Sequence, residues 1–192
     1  MIHAKSYNLS AFGADRAKML YDEGTIAHVR CPIWPEDSAA LANQAEWRAF
    51  VAKGVPMWGW MNLQLSEDRL ALTPSEQAEL VLRCLAAMRQ LDAELEPVGW
   101  VLDLEKPMER ADLSVLCAGA KSLGRPVIAS LGAFANPNHH VFDHRSLARA
   151  GFWTEWQSYE DSDEGPSPAT AVRELYLPSI VHVGREYRSR IG

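Results

Sequence analysis

Short apolar runs alternate with longer amphipathic ones along most of the chain. Runs of strand length and pattern occur at IHAKSYNL (2–9), TIAHVRCPI (25–33), VPMWGWMNL (55–63), VGWVLDLE (98–105), RPVIASLGA (125–133), FWTEWQSY (152–159) and SIVHVGREY (179–187). Between them, apolar positions recurring every three to four residues predict helices near 14–21, 37–53, 74–95, 109–123, 143–150 and 168–175. The punctuation agrees with these boundaries. Thr73-Pro74-Ser75-Glu76 offers a cap residue and a proline in the first turn, while Gly24, Gly54 and Gly124 stand where helices should stop before the next strand.

Strand and helix alternating in this way predict parallel strands joined by helical crossovers, because each crossover returns the chain to the same end of the sheet. The expected fold class is therefore α/β, built as a single domain over residues 1–192. Two architectures satisfy the pattern. The open doubly wound sheet loses its strongest support because no strand run is followed by GxGxxG or GxxxxGK[ST]. A closed barrel gains support from polar residues at successive strand ends: Arg30, Asn62, Asp103 with Glu105, Ser130, and Glu155 with Gln157. In a (β/α) barrel those ends converge on one mouth, where active sites are built. A complete eight-unit barrel usually needs at least ~200 residues. The 192 residues here point to a compact or incomplete (β/α) TIM-type barrel with about seven parallel strands. The acidic, Pro- and Ser-containing segment EDSDEGPSPAT (160–170) reads as an exposed loop after the sixth strand.

Composition narrows the partners. With 47% hydrophobic residues the chain can bury a core, and 25 acidic against 19 basic residues give a net charge of −6. That balance argues against nucleic acid as a partner. No basic start leads into an apolar core, and no stretch reaches the ~18 apolar residues of a membrane span, so the expectation is a soluble chain without a signal peptide and without a membrane partner. Cys31, Cys84 and Cys117 are widely spaced and odd in number, which fits reduced, buried thiols. There is no GxSxG elbow, and hence no support for acyl transfer.

The chemistry concentrates in GWVLDLE (99–105). Strand alternation puts Asp103 and Glu105 on the same side, ~6.6 Å apart along the strand. Each raises the proton affinity of the other, which favours a protonated acid beside an ionised partner, the arrangement that protonates a leaving oxygen. Trp100, Leu102 and Leu104 fall on the opposite parity and should face the helices. The competing reading is a strand end whose acids meet solvent or pair with Arg30 and Lys106. On the third strand Trp58, Trp60 and Asn62 share a parity; on the sixth, Trp153, Glu155, Gln157 and Tyr159 do. Aromatic faces beside amides and carboxylates suit a sugar, whose C–H faces stack and whose hydroxyls need hydrogen bonds. Core packing is the preferred reading for Trp58, Trp100 and Trp153, with Trp60 and Trp156 left open. His28 and Arg30 share a face, where the arginine either holds one acid ionised or forms a structural ion pair. The candidate site thus comprises Asp103, Glu105 and Glu155 as catalytic residues, with Arg30, Trp60, Asn62, Gln157 and Tyr159 binding substrate.

These residues carry a resemblance. GWVLDLE resembles the Asp-x-Glu fourth-strand motif of barrel glycoside hydrolases, above all the family 25 lysozymes and the glycoside-hydrolase-like barrels of bacteriophage proteins, and more weakly the chitinase-type DxxDxDxE. VPMWGWMN, RPVIASLG and FWTEWQSY are similar to the third, fifth and sixth strands of such barrels, so the likeness spans roughly residues 25–160. It implies a barrel that cleaves or binds an N-acetylated glycan such as peptidoglycan, with Glu105 as the acid and Asp103 orienting or stabilising an N-acetyl-assisted intermediate. No cofactor is implied. Two departures stand out: where the family 25 pattern ends its first strand in Asp, KSYNLSAF offers only Ser6, Asn8 and Ser10, and an acid on the final strand is missing. The alternative is a catalytically inactive barrel serving as a binding or structural module, for example within a phage particle, as a homo-oligomer or against other virion components.

One cluster stands apart. NPNHHVFDH (136–144) gathers His139, His140, Asp143 and His144, with His140 and His144 four apart as on one helix face. HExxH is absent, and Asn-Pro-Asn reads as a turn with Asp143 capping the next helix, so the expectation is a loop with no metal. Chelator treatment should then leave the melting temperature unchanged. A structural metal contributes many kcal/mol of folding free energy, and a large drop in Tm on chelation would assign the cluster to a metal.

Overall fold

The computed structural model describes residues 4–5, 13–33, 44–63, 73–104, 108, 110–132, 147, 149–157 and 190–191. Within these, strands and helices alternate as β1 (Ala4–Lys5), α1 (Ala14–Asp22), β2 (Val29–Ile33), α2 (Gln44–Ala52), β3 (Met57–Asn62), α3 (Pro74–Leu95), β4 (Gly99–Leu104), α4 (Arg110–Lys121), β5 (Val127–Gly132), β6 (Trp153–Gln157) and β7 (Arg190–Ile191). All pairings are parallel and sequential, in the order β1-β2-β3-β4-β5-β6-β7. β2 to β6 are the developed strands; β1 and β7 are two-residue ladders. The runs expected at 25–33, 55–63, 98–105, 125–133 and 152–159 each hold a strand, which starts one to four residues inside the run. The run at 179–187 and the helices near 143–146 and 168–175 lie outside the described residues.

Local chemistry explains the longest crossover. Thr73 accepts a hydrogen bond from the Glu76 amide, and the Glu76 carboxylate accepts one from the Thr73 amide in return, a reciprocal cap with Pro74 in the first turn. The backbone hydrogen bond from Thr73 holds the Glu76 carboxyl below its ordinary value, the side-chain bond adding to it. Twenty-two residues later, Glu96 takes a left-handed conformation and ends α3. Leu80, Val81, Cys84, Leu85, Met88, Leu91 and Leu95 form its buried stripe.

The sheet has two faces of different character. Val29, Cys31 and Ile33 of β2, Met57 and Met61 of β3, Trp100, Leu102 and Leu104 of β4, and Val127 and Ala129 of β5 all join the helices in one apolar core. Residues of the other parity do not. That second face carries His28, Arg30, Asn62, Asp103 and Ser130, the buried polar and charged side chains among the described residues. All three cysteines are buried thiols, and burial pushes the Cys84 thiol up to about 12, so it is inert as a nucleophile.

The polar face is concave. Arg30 on β2 makes a bidentate ion pair with Glu155 on β6, at 2.6 and 2.8 Å. In a flat sheet those strands stand four spacings apart, about 19 Å at ~4.8 Å per strand. That is farther than the two side chains together can reach, so the sheet must roll around this contact. The register gives the manner of the roll. Stepping from Arg30 through Trp58 and Gly99, and on by the Trp100–Val127 and Ile128–Trp153 pairings, leads to position 151 of the chain; Glu155 stands four residues further along. A stagger of one residue per strand is that of a (β/α) barrel, whose shear is about eight over eight strands.

Two tryptophans fix the register of β3 against β4. Trp58 pairs with Gly99 and Gly59 with Trp100, so each ring lies over a glycine, one ring on each face of the sheet. A Cβ at Gly99 would sit 2.5 Å from Trp58 Cζ3, and one at Gly59 would sit 2.6 Å from Trp100 Cε3. Gly99→Ala and Gly59→Ala should therefore each cost about 1–3 kcal/mol by overpacking. The exposed neighbour Val98 serves as a control, Val98→Ala staying within ~0.5 kcal/mol. Urea unfolding of the three variants checks this, and glycine variants as stable as the control would show that the rings have other room.

Candidate functional site

The site is built by register. Asn62 pairs with Asp103, Asp103 with Ser130, and Ser130 with Glu155, so four neighbouring strands contribute one continuous row of polar residues near their C-terminal ends. Asp103 is 1% exposed, Asn62 4% and Ser130 0%, while Glu155 is half-buried. The Leu63 amide donates to the Asp103 carbonyl at 3.2 Å, which carries the β3–β4 ladder one residue past Asn62 and stiffens the rim there. Buried polar side chains lose water on folding and must recover hydrogen bonds from each other, so a row of this kind is held to a narrow set of geometries.

Glu155, the last member of that row, is also one half of the ion pair, and Arg30 lies below the row's other three residues. With a stagger of one residue per strand, Arg30 of β2, Val101 of β4 and Glu155 of β6 share one level, as alternate strands do in the layers that fill a barrel interior. Asp103 is the next inward-facing residue above Val101, two residues nearer the strand end. Arg30 is 3% exposed, and its two terminal nitrogens are spent on Glu155. Among the described residues its Nε has no hydrogen-bond partner. At the lower end of the same face the ring of His28 lies 5.5 Å from that of Trp58, tilted by 35°.

Each expected site residue has a definite place. Arg30, Trp60, Asn62, Asp103 and Glu155 share the inner parity. Trp60 is buried there at 1% exposure. Glu155, expected as a third catalytic acid, has both carboxylate oxygens engaged by Arg30. Gln157 ends β6 at the same parity as Glu155. Glu105, Tyr159 and the histidine loop at 136–144 lie outside the described residues. Core packing holds for Trp100, which is fully buried among the helices and donates its indole N–H to Asp92 at 3.0 Å. It does not hold for Trp153, which is 45% exposed. Its parity is that of Ile128, on the inner side at the N-terminal end of β6, where the helix-covered core does not reach. Trp58 is half-buried on the inner face. Ser130 was legible as a strand-end polar residue in the apolar run RPVIASLGA but was not counted into the site, where the register now puts it.

Among the described residues, no group of three or more His, Cys, Asp and Glu side chains is placed to hold a metal ion, and no helix is long and apolar enough to cross a membrane.

The fold is similar to that of several solved structures. A chitinase from Chromobacterium violaceum superposes with a TM-score of 0.64 at 18% identity, over 95% of this chain and 64% of its own. The spore cortex-lytic enzyme SleL of Bacillus cereus gives 0.59 at 10% identity, over 88% of this chain and 44% of the enzyme. A GH18 chitinase from Cycas revoluta, solved in complex with (GlcNAc)4, gives 0.58 at 14%, over 82% of this chain and 54% of its own. The chain thus spans about half to two thirds of the length of these proteins. No protein-family model and no curated protein matches the sequence. At these identities the likeness establishes the fold, an α/β architecture of parallel strands shared with glycoside hydrolases. These structures are GH18 chitinases and a cortex-lytic enzyme, so the expected resemblance to the family 25 lysozymes is not supported. A short motif shared by several barrel hydrolases does not separate them.

Proposed function

We propose that the chain is a glycan-binding, glycoside-hydrolase-like barrel that acts on an N-acetylated glycan at the mouth formed by the C-terminal ends of β3 to β6. The observation that carries this reading is the buried row Asn62–Asp103–Ser130–Glu155, continuous across four parallel strands on a concave face. A carboxylate as buried as Asp103 is costly to hold without a task, since burial strips its solvation. In this reading Glu105, two residues on and of the same strand parity, donates the proton to the glycosidic oxygen. The substrate's own N-acetyl carbonyl oxygen attacks the anomeric carbon as the leaving alcohol departs, and Asp103 orients that amide and stabilises the positive charge on it. Water, giving a proton to the now ionised Glu105, then attacks the anomeric carbon as its bond to the N-acetyl oxygen breaks and the N-acetyl group re-forms, so that two inversions retain the configuration. Trp60, Asn62, Gln157 and Tyr159 serve as candidate contacts to the sugar around this centre.

A second reading follows from one departure. Set against DxxDxDxE, Asp103 and Glu105 match the last two acids, while Val98 and Val101 stand where the first two would be. Val101 is fully buried on the inner face below Asp103, and Val98 is 44% exposed. An apolar residue directly under Asp103 removes a group that could share its proton. The same fold would then bind glycan without cleaving it.

The two readings separate on Glu105→Gln, which keeps size and hydrogen bonding and removes the transferable proton. For an active enzyme, turnover of N-acetylglucosamine oligomers or cell-wall glycan falls ~10²–10⁴-fold with little change in affinity. Asp103→Asn also slows turnover. For a binding module, the wild-type protein binds the oligomers and shows no turnover to lose. A wild-type protein that neither binds nor cleaves any N-acetylated glycan would overturn both readings.

A further inference from the structure

Arg30 and Glu155 are the charged pair that the proposed chemistry does not use. Their separation in the chain is 125 residues, and the pair joins the second strand to the sixth across the interior. Arg30 is 3% exposed on its side chain and Glu155 25%. Both terminal nitrogens of the guanidinium meet both oxygens of the carboxylate, the fork-to-fork geometry that fixes distance and orientation together. β6 needs such a tether. Among the described residues its ladder to β5 is five pairings long, and its ladder to β7 on the other side is two. Among the described residues, the contact that joins β6, with Gln157 two residues beyond Glu155, to β2 across the interior is this ion pair.

We infer that Arg30 and Glu155 are a positioning pair for the site: their ion pair ties β6 to β2 beneath Asp103 and so sets the width of the mouth between the β6 rim and the strand that carries the acids. Glu155 is then the counter-ion of Arg30 and not a proton donor. Charge neutrality is part of the device, because a guanidinium at this depth without its carboxylate would be an uncompensated buried charge. Two apolar side chains in place of the pair restore neutrality but carry no fixed distance.

This predicts an unusual split between stability and binding. Glu155→Gln and Arg30→Met each leave one polar partner stranded and should lower the melting temperature by several degrees. The double variant Arg30→Met with Glu155→Met should regain most of that loss, a coupling that a denaturation double-mutant cycle reads directly. Its binding should not recover. Measured by calorimetry with the N-acetylglucosamine tetramer, the refolded double variant should bind at least tenfold more weakly than wild type, and any turnover should lose more in KM than in kcat. Arg30→Lys, which keeps the charge but not the fork, should fall between the two. The binding arm rests on the proposed glycan function; the tether itself is tested without a ligand by hydrogen exchange. In Arg30→Met the amides of 153–157 should lose at least a hundredfold of protection while those of β3 and β4 keep theirs. Equal loss across all strands would overturn the tether even if wild type binds no glycan. A double variant with wild-type affinity would reduce the pair to a structural role. Glu155→Gln that folds and binds normally yet loses turnover 10²-fold or more would make Glu155 a catalytic residue and overturn the inference.

Discussion

The contact between Arg30 and Glu155 sets the geometry on which the other features depend. A parallel sheet of seven strands in sequential order can lie open or roll up, and local propensity does not choose between the two. A bidentate ion pair between the second and sixth strands is compatible only with the rolled form, because a flat sheet holds those strands too far apart for it to form. Its contribution to net stability is small, since the cost of taking both charges out of water offsets most of their attraction. What it supplies is a fixed distance and a fixed stagger. Once the sheet is rolled with one residue of stagger per strand, inner and outer faces have different physical tasks. The outer one meets helices and is apolar; the inner one encloses Arg30, Asn62, Asp103 and Ser130 and must be internally satisfied.

Rolling a sheet leaves register to be enforced strand by strand, and at the centre it is enforced by size. The Trp58–Gly99 and Gly59–Trp100 pairs place an indole and a bare backbone opposite each other on both faces of the β3–β4 ladder. A slip of one residue would move every side chain of β4 to the wrong face, Asp103 included. Behind the sheet, Asp92 of α3 accepts from the Trp100 indole at 3.0 Å and from Arg125 at 2.8 Å, tying helix, strand and the approach to β5 at one carboxylate. The strand that carries the acids is therefore held on three sides: by β3, by β5 and by α3. The proposed function, which holds a sugar within a fraction of an ångström of a proton donor, calls for a support of this rigidity.

Much of this was legible in the sequence because it is periodic. Alternation of strand and helix gave the parallel order, and parity along GWVLDLE separated Asp103 from Trp100, Leu102 and Leu104, as the structure has them. Parity also put Arg30 and Glu155 among inward candidates. It did not join them, because the pairing depends on curvature and stagger summed over four strands, which no local pattern records. The same limit explains Trp153. Its aromatic bulk suggests a core residue, yet burial depends on which end of which face the residue occupies, and Trp153 stands at the start of β6 on the inner face, away from the apolar core that packs against the helices. The glycine facing each tryptophan was visible in MWGW and VGW as mirrored Trp-Gly and Gly-Trp pairs, a signal that becomes readable only with the register known. Glu105 and Tyr159, both essential to the sequence reading of the site, lie outside the described residues, and their part stands on strand parity and chemistry.

The central claim is that the concave polar face is a glycan site with the Arg30–Glu155 pair as its floor. The measurement that bears on it most directly is a crystal structure with the N-acetylglucosamine tetramer bound. The account predicts a sugar ring seated over the Asn62–Asp103–Ser130 row at the C-terminal strand ends, its N-acetyl group turned towards Asp103, with the ion pair intact one layer below. A tetramer bound on the helical surface or at the N-terminal ends of the strands, or one that displaces Glu155 from Arg30 to reach its own hydrogen bonds, would contradict it.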